Sequence, residues 1–206
     1  MLAIDLPGRG RQPADLEKQS YGSFVASVEH RVRDCDLHDL VIVAHSMGGL
    51  TAIGLMNRVP ERIRHVVFVT SPIPAEGESI ADLTKRRLIV TAAVDQSHAA
   101  IESGVSNLSL EKLLFHDLNE VDTLFCMSRI VPESMAVYNE SVDLSGLKMP
   151  ISRTYVRTLK DRGLPPELQA ESISRIPRVR VREMDTGHTP MFANPNGLAN
   201  IIMECH

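Results

Sequence analysis

Apolar positions along this chain switch back and forth between two spacings. Met1, Leu2, Ala3 and Ile4 open it as a short apolar run that the turn residues Pro7 and Gly8 stop, which predicts a strand over 1–5. Tyr21, Phe24, Val25, Val28 and Val32 then recur at helical spacing behind Ser20, a residue suited to capping a helix. A continuous run, Val41-Ile42-Val43-Ala44, predicts a strand over 40–44, and a helix follows over 47–58. Ile63 to Thr70 is rich in β-branched residues, the pattern of a strand buried on both faces of a parallel sheet. From 72 to 150 the alternation stops. Helical stretches with polar faces take over, among them Leu108–His116 and Val121–Ile130, with Pro132 ending the second. Strand and helix then alternate again: a strand over 151–158, a helix over 165–174 with proline at its start, a strand over 179–184 that alternates as a sheet edge does, and a last helix over 196–204.

Strands separated by helices imply a parallel sheet covered on both faces. The expected architecture is therefore an α/β core of residues 1–71 and 151–206, with 72–150 inserted as a helical cap. Ligands of open α/β sheets bind at the carboxyl ends of the strands, and the cap begins at such an end. That makes it a candidate lid.

Composition narrows the function classes. The chain has 206 residues, 43% of them hydrophobic, and a net charge of −4, so no strong field points toward nucleic acid or an anionic membrane. The short basic cluster Lys85-Arg86-Arg87 is expected to be a solvated helix face. No apolar run approaches the ~20 residues a membrane span needs. Cys35, Cys126 and Cys205 are widely spaced and odd in number, which suits a reducing compartment. Asp5, Pro7 and Gly8 interrupt any signal-peptide core, so a cytoplasmic location is expected. Neither zinc-type spacing nor a glycine-rich phosphate loop occurs, so no metal or cofactor is expected.

The chemistry gathers around Ala44-His45-Ser46-Met47-Gly48-Gly49, a small-x-Ser-x-Gly turn between a strand and a helix. Such an elbow lifts a serine hydroxyl above the sheet. Small neighbours let the backbone bend that tightly, and Ala44 and Gly48 are read in that role. A serine hydroxyl needs a base, and the base needs a third group to hold it. Of the eight histidines, His188 is the best base, in the loop Asp185-Thr186-Gly187-His188-Thr189 after a strand. Asp161, after the strand 151–158, is the preferred acid, because serine, acid and histidine then fall in α/β-hydrolase order. Asp185 is its rival and is expected instead to shape the His188 loop. His45 is expected to pack beside the elbow, His65 at a strand surface, and His30, His38 and His206 at the surface. His98 and His116 lie in the cap, where His116 could line a pocket.

Four ordered segments resemble a known family: Asp5-Leu6-Pro7-Gly8-Arg9-Gly10, Ala44 to Gly49, Tyr155 to Pro165 and Gly187-His188-Thr189-Pro190-Met191, with Phe115-His116-Asp117 between them. Together they are similar to the α/β-hydrolase branch that holds salicylate-binding plant methyl esterases, hydroxynitrile lyases and related bacterial esterases. The resemblance implies a triad of Ser46, His188 and Asp161 and an oxyanion donor at the Met47 N–H. It implies a small ester as substrate. The lyases carry lysine directly after the catalytic histidine, where this chain has Thr189, and the esterases share the histidine before the serine.

Family members have three strands and a helix ahead of the segment matching 1–10, and the loop after the third strand supplies a second oxyanion donor. The expectation is therefore an N-terminally truncated fold with one donor, Met47. Strand 1–5 should lie detached, pair inward with 40–44, or pair with another chain. The three triad residues should still converge. The alternatives are a catalytically impaired homologue acting as a binding protein and, disfavoured by Thr189, a cofactor-free hydroxynitrile lyase.

Overall fold

The computed structural model describes residues 1–85, 107–131 and 133–205. Arg86, Arg87, His98, Pro132 and His206 lie outside the described residues.

A parallel sheet of four strands organises the fold. It comprises β1 (Leu40–His45), β2 (Ile63–Val69), β3 (Ser152–Thr158) and β4 (Arg180–Met184), paired in that order. The carboxyl ends are level: His45 pairs with Val69, Val69 with Val156, and Thr158 with Met184. Side chains alternate across a strand, so β2 serves two cores at once. Val66 and Phe68 join the larger core with Tyr155 and residues of α1 (Tyr21–Asp34) and α2 (Gly48–Arg58). Val67 and Val69 join Val156, Met184 and Leu198 on the opposite face. Leu198 comes from α8 (Pro195–Met203), so helices cover both faces.

The helix α1 starts where capping chemistry places it. Ser20 Oγ accepts the Ser23 N–H at 3.1 Å, and Ser23 Oγ accepts the Ser20 N–H at 3.0 Å. Between β2 and β3 run α3 (Asn107–Leu114), α4 (Glu120–Met127) and the short α5 (Met135–Asn139). After β3 come α6 (Pro166–Ser174), then β4, then α7 (Pro190–Ala193) and α8. Helix α4 stops at Met127, short of the expected Ile130. No helix among the described residues is long and apolar enough to cross a membrane.

Three expectations need correction. Residues 1–6 form no strand; the segment bends back instead, with the Gly8 N–H on Gln12 O and the Arg9 N–H on Leu6 O. Inward pairing with 40–44 does not occur among the described residues, and Leu6 packs against the larger core. A short run holds strand geometry only against a ladder partner, and among the described residues β1 is paired on its β2 side alone. Second, His65 is buried and not at a surface, with Nε2 2.9 Å from the Thr154 hydroxyl. It sits on an interior strand, whose residues face packed layers on both sides. Third, the tight glycine of the elbow is Gly49. A Cβ there would stand 2.7 Å from Ser71 Cβ, whereas a Cβ on Gly48 meets nothing within 4 Å among the described residues.

Candidate active site

The β1–α2 turn holds Ser46 at φ +50°, a left-handed conformation uncommon for a residue with a side chain. Two bonds fix it: the Ser46 N–H donates to Val69 O, and the Gly49 N–H donates to Ser46 O, each at 3.0 Å. Met47 follows in right-handed helical conformation as the N-cap of α2. Of the N–H groups at the start of α2, those of Gly49 and Leu50 are taken by Ser46 O and Met47 O, and the Met47 end of the helix lies beside the serine with the positive end of its dipole.

Asp161 and His188 arrive from the ends of β3 and β4. The extensions of these strands stay paired: the Leu159 N–H donates to Met184 O and the Lys160 N–H to Thr186 O, each at 2.9 Å. That brings the loop after β4 against the turn after β3. His188 Nδ1 lies 2.8 Å from Asp161 Oδ2, and Nε2 lies 3.1 Å from Ser46 Oγ. With Nδ1–H donating to the carboxylate, Nε2 is left to accept the serine O–H. Both His188 and Asp161 are buried.

Asp161 is densely solvated by protein. Oδ2 also accepts the Thr70 hydroxyl at 2.5 Å and the Thr158 hydroxyl at 3.1 Å, and Oδ1 accepts the Leu164 N–H at 2.8 Å. Burial by itself would push this carboxyl up. The donors, His188 first, outweigh it and hold the group below the ordinary carboxylate range. The rival behaves differently. Asp185 is exposed and pairs with Lys160 Nζ at 2.7 Å. The structure thus brings Ser46, His188, Asp161 and Met47 together and leaves Asp185 outside.

Three further residues take part beside the triad. His45 packs beside the elbow, and its Nε2–H also donates to the His188 carbonyl at 2.7 Å. Burial, followed by the nearby His188, pulls its pKa down to about 4, so it stays neutral. The second is Asp117 in the cap, whose Oδ2 accepts the Gly187 N–H at 2.5 Å. Thr189 Oγ1 donates to Leu114 O at 3.0 Å, so the 114–117 segment grips both neighbours of His188. Glycine at 187 lets the cap approach this closely, because a Cβ would stand 2.5 Å from Asp117 Oδ1 and 2.8 Å from His116 Cε1 and would push those side chains aside. The third is Thr70. No pattern marks it, since a threonine ending a β-branched strand is ordinary. No group of His, Cys, Asp and Glu among the described residues could hold a metal ion.

This elbow-and-loop arrangement defines a class. A model of the Alpha/beta hydrolase family matches residues 1–201, and the chain belongs to that family. Curated relatives include Methylesterase 17 of Arabidopsis thaliana, 25% identical over 180 residues that span 80% of this chain and 65% of the relative. Methylesterase 1 of the same plant is 27% identical over 182 residues, spanning 80% and 68%. The chain spans 65% of the length of Methylesterase 17 and 40% of that of putative methylesterase 13. Among solved structures, an extracellular alpha/beta-hydrolase from a Paenibacillus species superposes with a TM-score of 0.82 at 18% identity. It covers 98% of this chain and 85% of the other, and is described as sharing structural and functional homology with tobacco salicylic acid binding protein 2. Polyneuridine aldehyde esterase superposes with a TM-score of 0.75 at 16% identity, covering 98% and 86%. At these identities the likeness establishes the fold.

Proposed function

We propose that this protein is a serine hydrolase of small carboxylic esters. Ser46 Oγ attacks the ester carbonyl while His188 Nε2 takes its proton, and Asp161 stabilises the imidazolium that forms. The Met47 N–H faces the developing oxyanion. The tetrahedral intermediate collapses, His188 returns the proton to the departing alcohol, and an acyl-Ser46 ester remains. His188 then removes a proton from water, which attacks the acyl carbonyl and frees the acid. The observation that carries this reading is His188 itself, with one ring nitrogen on a buried carboxylate and the other on the hydroxyl of a serine held at φ +50°.

Two further points support it. The position after His188 carries a hydroxyl tied to Leu114 O and no cation, unlike the lysine of the lyases in this branch. The relatives named methylesterases favour methyl esters as the substrate class. We extend the reading to a cytoplasmic setting, on the strength of Cys35, Cys126 and Cys205 all being unpaired thiols.

The test is hydrolysis of p-nitrophenyl acetate together with labelling by a fluorophosphonate. The protein is expected to turn over the ester and to take up one label on Ser46, with both lost in Ser46→Ala. Because the triad acts as a unit, Ser46→Ala combined with His188→Ala is expected to be little worse than either alone. Undiminished turnover in Ser46→Ala defeats the mechanism.

A further inference from the structure

Two neighbouring strands end in the same unusual way. β1 hands over to Ser46 at φ +50°, and β2 hands over to Thr70 at φ +41°. A left-handed serine at a nucleophile elbow has an evident use. A left-handed threonine is rarer, because its branched Cβ crowds the backbone there, and such strain persists only where the surroundings impose it. Thr70 has no exposed surface. Its N–H donates to Val156 O at 3.0 Å, and its hydroxyl reaches Asp161 Oδ2 at 2.5 Å. That is the length of a charge-assisted O–H···O⁻ bond, stronger than a neutral one.

The other bonds to Asp161 are of a different kind. Thr158 and Leu164 lie within three residues of Asp161, so they move with its turn. The Thr158 contact is longer, at 3.1 Å, and its hydroxyl oxygen also faces Gln169 Nε2 at 3.3 Å. Thr70 follows directly on a separate strand, β2. The residue before it, Val69, supplies the carbonyl that holds the Ser46 N–H. Val69 and Thr70 therefore tie the serine and the carboxylate to one point of the sheet.

We propose that Thr70 is a positioning residue of the triad: its hydroxyl anchors Asp161 Oδ2 to the end of β2 and so sets the carboxylate against His188 Nδ1 at the right distance from Ser46. The inference rests on the triad reading above. The strained backbone aims the hydroxyl inward at Asp161, a direction an extended residue at the strand end would not give it. Without that bond the carboxylate keeps, besides His188 itself, only partners on its own turn, and nothing outside the pair holds it against the imidazole.

The experiment compares Thr70→Val, Thr70→Gly and Thr70→Ser in the full chain, with Ser46→Ala alongside. Valine keeps the branched shape and removes the O–H. Glycine removes the O–H and relaxes the backbone, so it serves if the valine protein does not fold. Serine keeps the O–H. With p-nitrophenyl acetate, kcat is expected to fall about tenfold in the valine and glycine variants with KM nearly unchanged, and to return to within about threefold of wild type in Thr70→Ser. The downfield proton resonance of His188 Nδ1–H, read by NMR without substrate, is expected to shift or broaden in both hydroxyl-free variants and to recover in serine. Wild-type kcat and an unmoved resonance in the hydroxyl-free variants overturn the proposal. Full turnover in Ser46→Ala overturns the triad reading alone, because the resonance still reports whether Thr70 holds the Asp161–His188 pair.

Discussion

The sheet differs on the two sides of Ser46. Toward β2, β3 and β4, every strand end hands a polar group to the site: Thr70 after β2, Asp161 after β3, His188 after β4. On the other side, β1 is an edge among the described residues, Val43 is 45% exposed, and residues 1–6 join no ladder. Local propensity does not separate the two. Val41-Ile42-Val43 is as rich in β-branched residues as Val66-Val67-Phe68-Val69, yet each residue of the second run has 0% exposure. What separates them is the neighbour. Ladder bonds and covering helices turn a β-prone run into a rigid ledge, and the hydroxyls, carboxylate and imidazole are aligned only where that ledge is complete.

The largest effects are expected on the complete side. Asp161→Asn should lower kcat by up to about 10⁴, the loss such a change gives in a well-characterised serine triad, because the amide favours the wrong imidazole tautomer. Asp185→Asn, which removes an exposed partner of Lys160, should change kcat by less than about twofold. Steady-state kinetics on the two variants checks this. The reverse outcome would make Asp185 the acid.

Next comes the elbow itself. Gly49→Ala drives a methyl group against Ser71 and should cost about 1–3 kcal/mol of stability, with a matching loss of activity. Gly48→Ala meets open space at the start of α2 and should be neutral or stabilising by up to about 1 kcal/mol. Urea titration of both variants reads the difference. A pair of the same polar substitutions then tests the two flanks directly. Val67→Thr puts a hydroxyl into a dry core and should cost about 1–3 kcal/mol. Val43→Thr, at the exposed edge, should stay within about 0.5 kcal/mol of wild type. Equal losses at 43 and 67 would mean that the β1 edge is covered in solution.

Near neutral pH the smallest expected effect is a pH slope. The pKa of His45 is held at about 4 in the folded protein against an ordinary value of 6.5. A folded-state pKa below the unfolded one means that the unfolded chain takes up the proton first as pH falls. The stability due to neutral His45 is therefore full above 6.5 and is lost between 6.5 and about 4. About 1 kcal/mol should be gone by about pH 5.5. His45→Gln keeps a donor for the His188 carbonyl and removes the titration, so its stability should vary less with pH than wild type over this window.

Much of the fold is legible in the chain because it depends on near neighbours. Helical spacing from Tyr21 to Val32 and the Ser20 cap locate α1, and β-branched runs locate β1 and β2. The serine turn and the order Ser46, Asp161, His188 point to the chemistry before any contact is seen. The errors share a cause. By their own residues the run 1–5 is strand-like and His65 surface-like, whereas strand formation and burial are settled by what lies alongside.

By itself, then, the sequence determined the alternation of strands and helices, the elbow, and the loops from which an acid and a base could come, since periodicity, capping and turn chemistry act within a few residues along the chain. Only the tertiary structure decided that Asp161 and not Asp185 faces His188, that Gly49 and not Gly48 is the tight position, and that Thr70 and Asp117 take part. Those choices join residues 70 to 161 and 117 to 187, and such pairs meet only because parallel strands end level and a cap segment folds back over them.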